Sequence, residues 1–459
     1  MESVKERTEA QRRYFSSGAT MDPKSRKQSL KALLSALDKW SDALYDALWK
    51  DLHKSREEAY MTELSIVIAE TRHQLRHIDR WAAERRVSTP LKLFNSCSRI
   101  LPEPLGCVLV IAPWNYPVQL LLNPLAAALA AGCTVCLKPS PYVPNVSRAL
   151  NDMIRDTFPE ELVTIFEGDR KVNTALLEQR WDCIFFTGSP ALGKVVMQAA
   201  SKNLTPVVLE LGGKSPCIVD RDARLETAAR RIAWGKLLNA GQTCVAPDYL
   251  LVHKDISEAF VRELKAAFES LLGDDPKSSP HYVRMVSEKA YSRVCSYIDD
   301  SRIIFGGERD ADARFIAPTL VRPSGPDAPI MREEIFGPVL PLLEFGSLEE
   351  ALDLVNAGEK PLALYYFGRS GKTVMRRTSS GGACINDTIL HFVGKNLPFG
   401  GVGNSGMGSY HGKKSFDAFT HYKSILKSSP RIDNPFRYMP YSWTRVPLLG
   451  TLVSKLLEH

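Results

Sequence analysis

The 459-residue chain has no run of about 18 or more apolar residues, so no stretch is long enough to cross a bilayer as a helix. Its opening, MESVKERTEAQRRYF, mixes acids and bases without an apolar core, which argues against a secretory signal. No basic run interleaved with aromatics stands out and the net charge is a mild +7, so a nucleic-acid partner is disfavoured. Cysteine is sparse: nine in all, an odd number, most of them inside apolar runs such as Cys107-Val108-Leu109-Val110. A reducing compartment suits this better than a disulfide framework, and a cytoplasmic location is expected. Short-period repeats and low-complexity tracts are missing too.

What is present is an ordinary globular composition, 44% hydrophobic and 24% charged. The length suggests about three domains, and a chain of this size can bury a core without staples. Residues 26–85 read as two helices, because Leu30, Leu33, Leu34, Leu37, Trp40, Leu44 and Leu48 keep one face apolar. From 106 onward short β-rich runs alternate with helical ones: 106–112, 133–138, 162–168, 182–188 and 205–212. Such alternation predicts βαβ units and a parallel sheet covered on both faces. A second series (217–220, 249–253, 339–345, 362–368, 382–387) predicts a second α/β unit of similar build. Residues 86–105 interrupt the pattern and read as a projecting hairpin.

Three motifs invite a functional reading that their context weakens. Gly401-Val-Gly403-Asn-Ser-Gly406 matches a dinucleotide fingerprint but follows Pro398-Phe399 rather than a clean strand, so a permissive loop near a site is expected. Cys133 and Cys136 have redox spacing but lie in a strand, where positions i and i+3 point to opposite faces. His73 and His77 stand four apart on a helix without the glutamate of a metalloprotease motif, and no metal site is expected.

Four other segments are harder to read as structure alone. Ala112-Pro113-Trp114-Asn115-Tyr116-Pro117 directly follows a strand, where α/β proteins bind ligands. Phe186-Thr187-Gly188-Ser189, with Gly193 beyond, marks a strand-to-helix junction: either a simple turn or a helix start whose amides suit a pyrophosphate. Glu210 lies in the apolar setting VVLEL, which should raise its pKa towards that of a general base unless it is paired. Cys244 follows a Gly-Gln-Thr turn with no apolar run around it and reads as a reactive thiol or as core filler.

In this order, the four segments resemble the aldehyde dehydrogenase superfamily. Lys138-Pro139-Ser140, Glu333 to Pro338 and Leu397 to Gly406 extend the match over nearly the whole chain. The segment PFGGVGNSGMGSYHGKKSFDAFTH and Arg437-Tyr438-Met439-Pro440-Tyr441 look like its class 3 branch, which handles medium-chain, fatty and aromatic aldehydes. The resemblance implies two Rossmann-like doubly wound domains: an NAD(P)-binding domain (1–85 and 106–212) and a catalytic domain (213–407). It also implies a small β bridging element between subunits (86–105 and 408–430), a homodimer, and a tail (431–459). Cys244 would be the nucleophile, Asn115 the oxyanion donor and Glu210 the base for thioester hydrolysis. Glu334 and Phe336 would position the nicotinamide ribose, with Glu334 a second base. Lys138 would bind the adenosine ribose, while Trp114, Gly188, Ser189, Gly193 and Leu211 would line the cofactor. Tyr116, Leu120, Ile389 and His391 would border the aldehyde entrance.

One departure bears on the cofactor. The family commonly has a glutamate where this chain has Pro141, so use of both NAD and NADP is expected. Competing readings are a CoA-acylating relative, which retention of Glu210 disfavours, and a thiol esterase without redox chemistry. In the tail, Leu448, Leu449, Leu452, Val453, Leu456 and Leu457 share a helical face after Pro447. It reads as packing on a partner subunit or the channel mouth, or as a peripheral contact with anionic lipid.

Overall fold

The computed structural model describes residues 2–433, 437–440, 450–451 and 454–455. The five leucines and one valine of the expected tail helix, Leu448, Leu449, Leu452, Val453, Leu456 and Leu457, lie outside the described residues. Two large sheets organise the chain. In the first, five parallel strands lie in the order Val163–Ile165, Thr134–Lys138, Cys107–Ile111, Cys183–Thr187, Val207–Glu210, and the short Gly406–Met407 joins antiparallel beside Glu210. By chain order the parallel strands run 3-2-1-4-5, the Rossmann arrangement. The connection reverses between Cys107–Ile111 and Cys183–Thr187, which places a ligand crevice at their carboxyl ends.

The runs are mostly apolar, with polar residues chiefly at strand ends, because both faces are covered. Val108, Val110, Val135 and Leu137 pack into the core shared with the helix Gln119–Ala131, every residue of which is buried. Leu109, Ile111 and Cys136 pack into a second core with Val196 of the helix Pro190–Ser201. Cys133 belongs to the first core and Cys136 to the second, so the two thiols face opposite ways.

The second sheet has seven strands, parallel except for Arg302–Phe305 at one edge, and its centre is Tyr249–His253 beside Pro216–Val219. A separate three-stranded antiparallel sheet joins Arg85–Val87, Ser96–Pro104 and Thr420–Ser428. Its two long strands pair over nine residues, from Ser96↔Ser428 to Pro104↔Thr420.

The stretch read as two helices is more broken than that. Helices run Pro23–Lys39, Ser41–Leu52, Arg56–Ala59 and Ser65–Ala82, with a π turn at Tyr60–Leu64 and a further helix at Glu2–Ser16. The apolar stripe continues across each break, so periodicity alone cannot find them. Trp40 leaves helical geometry at φ −99°, ψ 4°, and His53 takes the left-handed conformation at φ 56°. Ser55 then starts the next helix by accepting the Glu58 N–H at 3.2 Å.

Candidate active site

A cleft of about 840 Å³ opens where the two large sheets meet, lined by Trp114, Asn115, Leu120, Gly188, Ser189, Glu210, Leu211, Cys244, Glu334 and Phe336 among others. Residues 113–115, 187–189 and 210–211 reach it from the carboxyl ends of the first sheet's strands. Cys244 and the 333–336 turn reach it from the side of the second sheet.

The loop before Cys244 is strained. Asn239, Ala240 and Gly241 have φ of 53°, 50° and 72°, three consecutive left-handed residues. Such conformations persist only when their surroundings over-determine them. Here Gln242, fully buried, donates to the carbonyls of Asn239 and Arg284 at 3.1 Å and accepts the Val286 N–H at 3.1 Å. Gly241 has no space for a side chain: a Cβ would fall 2.3 Å from the Gly337 carbonyl oxygen. The Tyr116 hydroxyl and Thr243 Oγ1 lie 2.7 Å apart, anchoring the residue next to the thiol.

Asn115 is 3% exposed and donates one amide hydrogen to the Gln242 carbonyl at 3.1 Å. A primary amide carries two hydrogens, so one remains for a ligand in the cleft. Burial, then the nearby carboxyls of Glu334 and Glu210, push the half-buried Cys244 thiol far up, while its own N–H and that of Val245 oppose them. Glu210 is 2% exposed, neither carboxyl oxygen has a hydrogen-bond partner, and burial raises its pKa strongly. A buried polar group without a partner is expensive, which marks it as functional rather than structural.

Glu334 is pushed up to about 8 by burial, then by Asp248, against a hydrogen bond from the Gly213 N–H. Its turn is clamped: Lys214 pairs with Asp248 and donates to the carbonyls of Ile330 and Glu333 at 2.9 Å, and Asp248 accepts the Ile335 N–H at 2.9 Å. Gly212 is a cradle, since a Cβ there would lie 2.1 Å from Glu334 Oε2. Phe336, at φ 50°, meets the Trp114 ring edge-on at 5.4 Å.

On the other wall, Ser189 caps the helix Pro190–Ser201 through its hydroxyl to the Leu192 N–H at 3.4 Å. Its amides and the helix dipole make that end of the cleft suited to phosphate. Thr187 Oγ1, buried and without a partner, lines the same wall. A glycine cradle, a helix start and an orphaned hydroxyl fit a dinucleotide.

Not every expected residue borders this cleft. Gly193 packs under Leu211, where a Cβ would fall 2.7 Å from Cδ2. Lys138 is 1% exposed, donates to the Pro139 carbonyl at 2.7 Å, and is pulled down to about 8 by burial. Tyr116 lies behind the nucleophile loop, and Ile389, at φ 61°, touches the Gly235 position. His391 stands 3.5 Å from the Cys384 thiol. The 401–406 glycine loop meets the cleft at Asn404, and Ser405 accepts the Leu211 N–H at 3.1 Å. Sequence reasoning gave no role to Gln242, Thr187 or the Lys214–Asp248 pair, although all three lie in or beside quoted motifs; only the contacts expose them. His73 and His77 stack along one helix towards Trp81.

With this geometry in hand, comparison with known proteins is decisive: the profile of the aldehyde dehydrogenase family matches residues 1–425. The chain belongs to the aldehyde dehydrogenase family. It is 44% identical over 433 residues to 4,4'-diaponeurosporen-aldehyde dehydrogenase of Staphylococcus aureus (strain NCTC 8325 / PS 47), covering 93% of this chain and 94% of that protein. It is 43% identical over 432 residues to the dimeric NADP-preferring aldehyde dehydrogenase of Rattus norvegicus, covering 94% and 95%. The substrate-bound structure of Staphylococcus aureus AldH superposes with a TM-score of 0.96 at 41% identity, covering 98% of this chain and 99% of that one. The chain is thus an NAD(P)-dependent oxidoreductase that acts on aldehydes, built on two Rossmann-like sheets with an added antiparallel one. Among the described residues no helix is long and apolar enough to cross a membrane.

Proposed function

We propose that this cleft oxidises medium- to long-chain aliphatic or aromatic aldehydes to carboxylic acids through a thioester on Cys244. The observation that carries the reading is the buried, unpartnered Glu210 carboxyl opening on the same cleft as Cys244 and Asn115. The thiol, held protonated by burial, gives its proton to the ionised form of Glu334, the carboxyl that acts on it most strongly, before it attacks the aldehyde carbon, which leaves Glu210 free for the water step. The free hydrogen of the Asn115 amide and the Cys244 N–H then hold the oxyanion, each such donor being worth about 3–4 kcal/mol of barrier. NAD(P), when bound, supplies the hydride acceptor that turns the hemithioacetal into the thioester. Glu210 takes a proton from water as its oxygen attacks the thioester carbonyl; the C–S bond then breaks, the proton returns to the departing sulfur, and the acid is released.

In this reading residues 1–85 and 106–212 form the cofactor domain and 213–407 the catalytic domain. Trp114, Gly188, Ser189, Leu211, Glu334 and Phe336 hold the cofactor, with Lys138 and Gly193 beneath them. Leu120 borders the aldehyde, and Tyr116, Ile389 and His391 shape its approach from behind. The preference for bulky apolar aldehydes rests on the relatives, one of which is named for a diaponeurosporen-aldehyde. A homodimer accords with the relative named as dimeric and with the open edges of the three-stranded sheet. A cytoplasmic enzyme, its tail packed on the partner subunit or over the channel mouth, completes the proposal. The test is reduced-nicotinamide absorbance over a panel of aldehydes ranked by kcat/KM. No cofactor reduction with any of them would defeat the reading.

A further inference from the structure

Behind the cleft lies a charged cluster that the reaction scheme does not use. Lys54 and Glu63 form an ion pair at 2.8 Å with both side chains fully buried. Lys54 Nζ also donates to the Asn115 carbonyl at 3.0 Å and stands 4.3 Å from the Tyr116 ring centroid. The second oxygen of Glu63 accepts the N–H groups of Val118 and Gln119, both at 3.0 Å, at the start of the helix Gln119–Ala131. Val118 itself has no side-chain cap to offer. Glu58 accepts the Asn239 N–H at 2.8 Å, five residues before the nucleophile. The Asn239 side chain closes the circuit by donating to the carbonyls of Asn115 and Gln242, both at 3.0 Å.

This circuit has a specific origin. Glu58 and Glu63 are five residues apart, and in a regular α-helix that spacing would aim them in different directions. The π turn at Tyr60–Leu64 alters the register, and both carboxyls act on Lys54. One short segment thereby grips the strand end that carries Asn115 and the strained loop that carries Cys244.

We propose that Lys54 and Glu58 are positioning residues of the oxidation, which set the Asn115 amide in register with the Cys244 loop without touching substrate or cofactor. The proposal rests on the assignment of Asn115 as oxyanion donor. Lys54 fixes the backbone of Asn115 from one side, and Glu58 fixes Asn239, which shares the Asn115 carbonyl, from the other. Loss of either leaves the cleft formed but lets the donor drift from the position where the oxyanion develops, and this should appear in kcat rather than in cofactor binding.

The test is a double-mutant cycle on the full-length enzyme, read as kcat and as cofactor KM. Lys54→Met and Glu58→Ala are each expected to lower kcat by about tenfold or more with cofactor KM within about twofold, and in an Asn115→Ala background by less than about threefold. Glu58→Gln keeps a carbonyl acceptor for the Asn239 N–H and is expected to restore kcat to within about threefold of wild type. Glu58→Ala and Glu58→Gln carry the cycle if Lys54→Met does not fold. Additive losses on top of a slow Asn115→Ala enzyme, or wild-type kcat in the single variants, overturn the proposal alone. Wild-type kcat in Asn115→Ala overturns the oxyanion assignment and the proposal with it.

Discussion

Asn115 donates to the carbonyl of Gln242 at 3.1 Å, so the amide assigned to the oxyanion is tied to the residue two before the nucleophile. A residue 127 positions away in the chain is held to the Cys244 loop by this bond and by the Asn239 amide, which donates to the Asn115 carbonyl at 3.0 Å. The geometry of attack therefore depends on the strained turn that carries Asn239 and the Gln242 carbonyl.

Gly241→Ala tests this dependence. The added methyl would fall 2.3 Å from the Gly337 carbonyl oxygen, at a φ of 72° that alanine disfavours. The change should destabilise the fold by on the order of 2 kcal/mol or more, and should lower kcat because both the nucleophile loop and the 333–336 turn must shift. Urea titration beside steady-state kinetics checks both. Unchanged stability and unchanged kcat would show that the turn is not constrained as described.

Acid should unfold this protein partly through His411. Burial pulls its pKa down from 6.5 to about 4, against a hydrogen bond to the Phe392 carbonyl. A folded-state value below the unfolded one means that the unfolded chain binds the proton first. Its contribution is thus present above about pH 6.5 and is lost as pH falls towards 4, on the order of 3 kcal/mol in total. His391, also lowered to about 4 by burial and then by His411, adds to the same limb. His411→Asn suits the left-handed φ of 76° at that position and should flatten the stability curve between pH 4 and 6.5. Denaturation midpoints taken across that range, parallel for the two proteins, would contradict the assignment.

Much of the fold was legible in the sequence because its strands are covered on both faces. The runs at 249–253 (YLLVH) and 339–345 (VLPLLEF) are apolar except for His253 and Glu344 near their ends, and match the strands Tyr249–His253 and Val339–Phe345. The breaks at Trp40 and His53 were not legible, since neither position holds a proline or glycine and the apolar stripe runs straight through. At the candidate site, residue types and strand ends pointed to Asn115, Glu210 and Cys244. What no local pattern could show is which polar groups would meet: Lys54 reaches Asn115 across 61 positions, and Glu58 reaches Asn239 across 181. Their pairing depends on a π turn for which YMTEL gives no signal. Whether Glu210 is paired was equally invisible, because a buried glutamate with a partner and one without look alike in a string.

Cofactor choice should be broad. Pro141 is exposed at the end of the strand Thr134–Lys138 and offers no carboxylate to the adenosine ribose. Glu167, which acts on Lys138, is also within 3.5 Å of Arg148. With no carboxylate at position 141, a 2′-phosphate there is spared a like-charge repulsion of on the order of 1 kcal/mol in water at 4 Å and several times that at lower dielectric. Comparable kcat/KM for NAD and NADP is expected, and Pro141→Glu should shift the ratio towards NAD by about tenfold per 1.4 kcal/mol. A ratio of about a thousandfold for NAD in the unmodified enzyme would overturn this argument.

The central claim is that Cys244 carries the acyl group and Glu210 removes it, and rapid mixing of the Glu210→Gln enzyme with NAD and an aldehyde tests it most directly. The account predicts a burst of reduced cofactor near one equivalent per active site, then slow turnover, with the acyl mass retained on the peptide that contains Cys244. In Cys244→Ala neither burst nor adduct should form, while cofactor binding persists. A Glu210→Gln enzyme that turns over linearly at the wild-type rate, or an adduct on another residue, would contradict it.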